Sequence, residues 1–176
     1  MTKSHRYPLS WVAADYARAL FGLALTAGPL LFIGPALVFA LVLGVLALVF
    51  AVFLVRTWMR HKTVYAEDDR GLSEMGPPPF GGSARIDWAD LAAVSLRYYS
   101  TQRNREGGWM QLTLKNSNGS AVRLESPLPG FSSIAERAFA ASKINNVTLD
   151  ETTVANARAA GYRLPGETKN ESNAGL

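Results

Sequence analysis

Four arginines and two aromatic residues in the second half of the chain have side chains of the kinds that bind anions and protein surfaces. Arginine offers a planar fork of N–H donors to a phosphate or carboxylate, and Tyr and Trp are enriched at the energetic centres of protein interfaces. This chemistry indicates recognition of phosphate head groups or of an acidic protein partner; the alternative is ordinary solvation of an exposed sheet. The candidate residues are Arg97, Tyr99, Arg103, Arg105, Trp109 and Arg123.

Two segments in which apolar and polar residues alternate must position this set. Such alternation predicts strands with one buried face, and a third short segment continues the pattern after a turn at 116–119. We therefore predict an antiparallel meander. The residues assigned to its buried face are Val94, Leu96, Tyr98, Met110, Leu112, Leu114, Val122 and Leu124.

Pairing that keeps these apolar residues together also determines the neighbours on the opposite, solvated face, because side chains alternate between the two faces of a sheet. That face would be basic, with aromatic residues among the cations. The predicted neighbours are Tyr99 with Trp109, Arg97 with Gln111 or Thr113, and Arg123 with Thr113, with Arg103 and Arg105 at the hairpin tip.

Weaker signals predict the elements on either side of the meander. Strands are expected before it near 63–65, 72–75 and 84–88, with a turn at 69–71 and a bend or helical turn at 90–93.

After the meander, two helices are expected. Apolar residues at helical spacing from Phe131 to Ser142 predict an amphipathic helix that covers one end of the sheet. Thr148 to Glu151 has the form of a capping box for a second helix over 149–160, which Gly161 would end. The polar segment 163–176 is predicted to be a disordered tail.

The first third of the chain contains an apolar stretch with no ionisable residue between Arg18 and Arg56. About 20 helical residues cross a hydrocarbon core of roughly 30 Å, so the stretch is long enough for two crossings and too long for one. We predict a helical hairpin with spans at about 11–31 and 35–55, the second beginning at Pro35. A cleaved signal peptide is disfavoured because the apolar character continues far beyond a core of about 7 to 15 residues.

Cations flank both ends of the predicted hairpin and are missing from its turn. By the positive-inside rule, both termini face the cytoplasm. Asp15 and Arg18 are three residues apart, which predicts an ion pair at the interface. The residues expected to anchor the spans at the inner membrane surface are Trp11, Tyr16, Arg18, Arg56, Trp58 and Arg60.

No constellation in the sequence indicates catalysis. The chain has no cysteine and two histidines, His5 and His61, which are predicted to be interfacial polar residues. The acidic run 67–69 lacks the spaced oxygen ligands of a calcium loop and is predicted to be a solvated turn. We found no phosphate-binding glycine loop or nucleophile elbow, and we expect no catalytic, metal-binding or cofactor-binding residues and no enzymatic activity.

Two short patterns carry a resemblance to a known family. They are Tyr65-x3-Asp69-Arg70-Gly71-Leu72 and Ile86-Asp87-Trp88-Ala89-Asp90-Leu91-x2-Val94, followed by paired strands and a closing helix. This order, over about 63–143, resembles the bacterial pleckstrin-homology-like (PH-like) domains that often follow a two-span hairpin. The resemblance implies a curved antiparallel sheet with a C-terminal helix and a binding or assembly role.

The expected fold class is an α-helical transmembrane hairpin followed by a small α+β domain, with an antiparallel PH-like sheet and C-terminal helices. The expected divisions are 1–60 for the N-terminal segment and hairpin, 61–162 for the cytoplasmic domain, and 163–176 for the tail. The resemblance places the protein in the bacterial inner membrane, with two spans.

The expected function is that of a noncatalytic, membrane-anchored adaptor that binds a membrane or cytoplasmic protein, or itself. The alternative is a module that responds to anionic lipids through the basic sheet face. The lipid bilayer is a partner under either hypothesis. Nucleic acid is not expected, because the face has few cations and acidic residues lie nearby.

Overall fold

The computed structural model describes residues 2–79, 81–101 and 104–164, with the backbone alone for 101 and 104–106. The chain divides into two compact units. A helical unit comprises Tyr7–Thr63 and Gly76–Gly81, and a sheet unit comprises Met1–Arg6, Val64–Met75 and Gly82–Leu176.

The helical unit contains two long helices that pack against each other, α1 (Leu9–Phe32) and α2 (Leu37–Lys62). A Cβ added to Gly22 would lie 2.2 Å from the Phe50 ring, so glycine permits this close contact. The buried residues of α1 recur at helical spacing and form the face that packs on α2: Val12, Ala19, Gly22 and Thr26.

The helix bounds differ from the predicted spans in two respects. α2 begins at Leu37 rather than at Pro35, because Pro35 lies in the turn and Ala36 takes the capping position. The helix also continues past the apolar stretch to Lys62, since no proline or glycine follows Val55 to stop it.

By length and composition, α2 is the one helix among the described residues that is apolar enough to cross a membrane, with a mean hydropathy of 3.2 over its best 18-residue window. α1 carries Asp15 and Arg18 in its first half, which lowers its hydropathy. These two side chains form the predicted ion pair, with 2.9 Å between Arg18 Nη1 and Asp15 Oδ1.

The sheet unit begins with a four-stranded antiparallel sheet in the order β1-β2-β3-β4. Its strands are β1 (Lys3–His5), β2 (Val64–Glu67), β3 (Gly71–Met75) and β4 (Ser83–Asp87). Strand β1 was not predicted, because the sequence analysis assigned residues 1–60 to the N-terminal segment and hairpin. β1 pairs with β2, with His5 opposite Tyr65, so the helices are inserted between two neighbouring strands of one sheet.

A 3-10 turn at Trp88–Asp90, slightly earlier than the predicted bend, leads into a second antiparallel sheet. This sheet contains β5 (Leu91–Thr101), β6 (Asn104–Asn116) and β7 (Ala121–Glu125) in the order β5-β6-β7. Strand β4 of the first sheet packs against β6 and β7.

The alternation prediction is confirmed for most of the buried face, where Leu96, Leu112 and Leu114 have no solvent exposure. Tyr98 contradicts it: the side chain is 44% exposed, because β5 extends beyond the covered part of the sheet.

Helix α3 (Phe131–Ile144) is the predicted amphipathic helix and packs against β5. Its buried side has the expected spacing, with Phe131, Ile134, Ala138 and Phe139 nearly or fully inaccessible to solvent.

Helix α4 (Glu151–Ala159) closes the free edge of β5 through side-chain hydrogen bonds. The Leu96 N–H donates to Thr153 Oγ1 at 3.0 Å, and Asn156 Nδ2 donates to the Leu96 carbonyl at 2.9 Å. Because edge strands are sites of unwanted pairing, this cover protects the sheet.

The ends of α4 test the predicted caps. The capping-box prediction for Thr148 is wrong, because Asp150 caps the helix by accepting the Thr153 N–H at 2.9 Å. Gly161 follows the end of the helix in the left-handed conformation, as predicted. Of the predicted tail, residues 165–176 lie outside the described residues, and Leu164 just before them is buried.

Candidate partner-binding site

The outer face of the second sheet carries four of the residues that the sequence analysis singled out, Arg97, Tyr99, Trp109 and Arg123. The predicted cross-strand neighbours are confirmed by the register of β5, β6 and β7. Directly opposite each other lie Tyr99 and Trp109, Arg97 and Gln111, and Thr113 and Arg123. We call these six residues the outer face.

An aromatic pair dominates one end of the outer face. The rings of Tyr99 and Trp109 are stacked, with 5.9 Å between centroids and 25° between planes. Tyr99 is 43% exposed, and Trp109 is partly exposed. Two large aromatic surfaces that support each other and still face solvent have the composition of an interface centre.

Tyr98 lies on the opposite side of the same strand end. A Cβ on Gly108 would come within 2.2 Å of the Tyr98 hydroxyl oxygen, so the glycine allows the Tyr98 ring to lie over β6. The β5–β6 end therefore exposes aromatic surface on both sides of the sheet.

The Arg97 side chain forms an ion pair with Asp150 of the same chain. Its Nη1 and Nη2 donate to the two carboxylate oxygens of Asp150 at 2.8 and 3.2 Å. The hydrogen bond from Arg97, together with the Thr153 N–H, lowers the pKa of Asp150 to about 2. The hydrogen bond to Asp150 in turn raises the pKa of Arg97. The charge assigned to head-group binding is thus largely neutralised by the cap of α4.

The other three predicted cations do not share the ion pair of Arg97. Arg123 is exposed, and within the described part of the chain it has no ion-pair partner. Arg103 lies outside the described residues, and so does the side chain of Arg105.

A second charged cluster surrounds the β2–β3 turn. Asp68 Oδ1 accepts the N–H groups of Arg70 and Gly71 at 2.9 and 2.7 Å. Arg85 Nη1 lies 3.1 Å from Asp68 Oδ2, and Arg85 Nε lies 2.8 Å from Asp87 Oδ1. The hydrogen bond from Arg85 lowers the pKa of Asp68 to about 2.

The two sequence patterns that carried the resemblance meet at this turn. The Trp88 N–H donates to the Arg70 carbonyl at 2.8 Å, and Trp88 Nε1 donates to the Asp68 carbonyl at 3.3 Å. Arg137 of α3 donates to the same Asp68 carbonyl at 3.0 Å. Residues of the two patterns therefore hold a turn, a strand end and a helix together.

One sequence interpretation is wrong at this cluster, and a second residue has a contact that the sequence analysis did not predict. Glu67 is not part of a solvated turn but is only 2% exposed, with Arg137 Nε 3.2 Å from its Oε1. His5, predicted to be an interfacial polar residue, lies in β1, with its Nε2 3.7 Å from Glu67 Oε2. A Cβ on Gly130 would come within 2.3 Å of the His5 ring, so the glycine before α3 leaves room for the imidazole. No local sequence signal marks this packing.

The predicted membrane anchors all lie in the helical unit. Trp11 and Trp58 are exposed, and the Tyr16 hydroxyl lies 3.3 Å from His61 Nδ1. Arg60 lies over the Tyr7 ring, 5.2 Å from its centroid. Their role as anchors stays a prediction. Among the residues that the structure describes, no group of three or more His, Asp or Glu side chains is arranged to hold a metal ion.

Comparison with known proteins gives no match: no family model, no curated protein and no solved structure matches the chain.

Replacing Asp150 with Asn tests the ion pair of Arg97 while keeping a good helix cap. The folded pKa of about 2 lies below the ordinary 3.8, so the stabilising charge is present above pH 3.8 and is lost as the pH falls through about 2. Because the pair is solvent-exposed, we expect a loss of about 0.2 to 1 kcal/mol at pH 7. Urea unfolding of the full chain in detergent, followed by tryptophan fluorescence, measures it. The difference from the wild type should shrink between pH 4 and pH 2, and a constant difference would contradict the charge-based account.

Proposed function

We propose that the protein is a noncatalytic, membrane-anchored adaptor whose sheet unit binds a protein partner or a second copy through the outer face. The observation that carries this proposal is the exposed Tyr99–Trp109 stack next to Arg97, whose charge is already taken up by Asp150. A surface with aromatic area and few free charges suits protein docking better than anionic head groups.

The order of the sheets supports a PH-like sheet unit. Two packed antiparallel sheets followed by α3 agree with the architecture that the sequence resemblance implies. Helix α4 and the insertion of the helical unit between β1 and β2 depart from that minimal pattern.

The pairing of β1 with β2 supports a hairpin with two spans. The strands before α1 and after α2 belong to one sheet, so the chain must return to the side of the membrane that it left. If α2 crosses the bilayer, α1 must cross it too. The cations at both ends of the hairpin favour the cytoplasm for that side. The sequence resemblance favours the inner membrane of a bacterium.

Photo-crosslinking tests the adaptor role. A benzoylphenylalanine residue replaces Tyr99 in the full chain in native membranes, and the matched control replaces Tyr98, which is similarly exposed on the other side of the sheet. We expect discrete protein adducts from position 99 and their loss when Trp109→Ala removes the stacked partner. Equal adducts from both positions would contradict docking on the outer face.

The second candidate function is a module that responds to anionic lipid, and the exposed Arg123 favours it. In this case, position 99 should give lipid adducts rather than protein adducts. These adducts should weaken as salt rises, because exposed charges are screened over about 8 to 10 Å near physiological ionic strength.

A further inference from the structure

A groove of about 530 Å³ lies within the helical unit, along the second half of α2. One wall is apolar, formed by Val49, Val52 and Phe53. The next two turns of the same helix face contribute Arg56 and Arg60. From Val49 to Arg60 the helix rises by about 16 Å, which covers the step from acyl chains to head groups.

The charge of the groove is positive at one end only. The acidic residue at its edge, Asp15, is already paired with Arg18 at 2.9 Å. The Thr57 hydroxyl donates to the Phe53 carbonyl at 3.0 Å, so it adds no charge and does not compete for an anion. The groove is therefore lined by the guanidinium groups of Arg56 and Arg60, one turn apart, next to a wall suited to hydrocarbon, and Arg60 also lies over the Tyr7 ring.

We propose that this groove binds one anionic phospholipid, with its phosphate at Arg56 and Arg60 and an acyl chain along Val49, Val52 and Phe53. The site differs from the outer face of the sheet and rests on the proposed membrane hairpin. Charge complementarity and the continuous apolar wall favour a lipid over a soluble phosphate, which would leave the wall uncovered.

The test uses the full chain in mild detergent, with native mass spectrometry of bound phosphatidylglycerol. Arg56→Gln should weaken retention of one lipid about tenfold, because a hydrogen-bonded charge is lost. Lys62→Gln is the matched control, since it removes the same charge from the end of the same helix but does not line the groove. This variant should retain the lipid within about twofold of the wild type. A twofold change in affinity corresponds to less than half of the binding free energy of a tenfold change.

Two further measurements separate the lipid from other sources of phosphate and from general attraction. Val52→Ser should also weaken lipid retention, whereas glycerol 1-phosphate should not displace the lipid at equal concentration. Equal losses in Arg56→Gln and Lys62→Gln, or full displacement by glycerol 1-phosphate, would overturn the proposal.

The membrane anchor is checked separately by carbonate extraction. A protein that stays in the membrane but shows no selective effect of Arg56→Gln refutes the lipid site alone. A protein released from the membrane by carbonate refutes both the hairpin and the lipid site.

Discussion

A chain in which Asn-Gly replaces Tyr7–Thr63 is expected to be soluble without detergent and to unfold cooperatively. The reason is the register of β1 and β2: His5 lies opposite Tyr65, and continuing the pairing by one residue places Arg6 opposite Val64. A two-residue Asn-Gly turn is the favoured connection for such a hairpin. The replacement removes the apolar helices and leaves all seven strands and both later helices in the chain.

The matched control is residues 64–164 alone, which lack β1. This fragment loses the ladder of a three-residue strand and the contact of His5 with buried Glu67. At about 0.5 to 1.5 kcal/mol for each hydrogen bond, we expect it to be about 2 to 4 kcal/mol less stable in urea unfolding. Equal stability of the two proteins would show that β1 does not hold the sheet. Aggregation of both would show that the sheet unit depends on the helices.

The second prediction concerns the proposed membrane topology, in which each position is on one side of the membrane or the other. The chain has no cysteine, so single cysteines report accessibility without background. Ile33 is a turn residue that is 75% exposed. Ile33→Cys should react with a membrane-impermeant maleimide in cells whose outer membrane is permeabilised and whose inner membrane is intact. Ser132→Cys in α3 and Thr2→Cys before β1 should react only after lysis.

The pair of positions expected in the cytoplasm makes this experiment a direct test of the proposed hairpin. Because β1 and β2 lie in one sheet, Thr2 and Ser132 must be on the same side of the membrane. Labelling of Thr2→Cys but not Ser132→Cys in intact cells would mean an odd number of crossings. That result would remove both the hairpin and the inserted arrangement of the helices.

The second sheet could be predicted from sequence because its signals are local. Alternation along β5 and β6 is set by the period of a strand, and a one-residue slip would move every apolar side chain to solvent. The Tyr99–Trp109 pair therefore followed from the pattern alone, whereas the choice of Gln111 over Thr113 opposite Arg97 came from the structure. The amphipathic spacing of α3 and the long stretch without charge between Arg18 and Arg56 are local in the same sense.

Contacts between distant segments depended on the tertiary structure. Arg97 and Asp150 are far apart in sequence, and only the position of α4 on the edge of β5 turns a predicted binding cation into half of an ion pair. Lys3–His5 has no alternation long enough to mark a strand, yet it pairs with β2 across the whole helical insertion. The burial of Glu67 likewise follows from β1 and α3 meeting over β2. Local periodicity determines which face of an element is buried, whereas the partner of a polar side chain is decided by which elements the fold brings together.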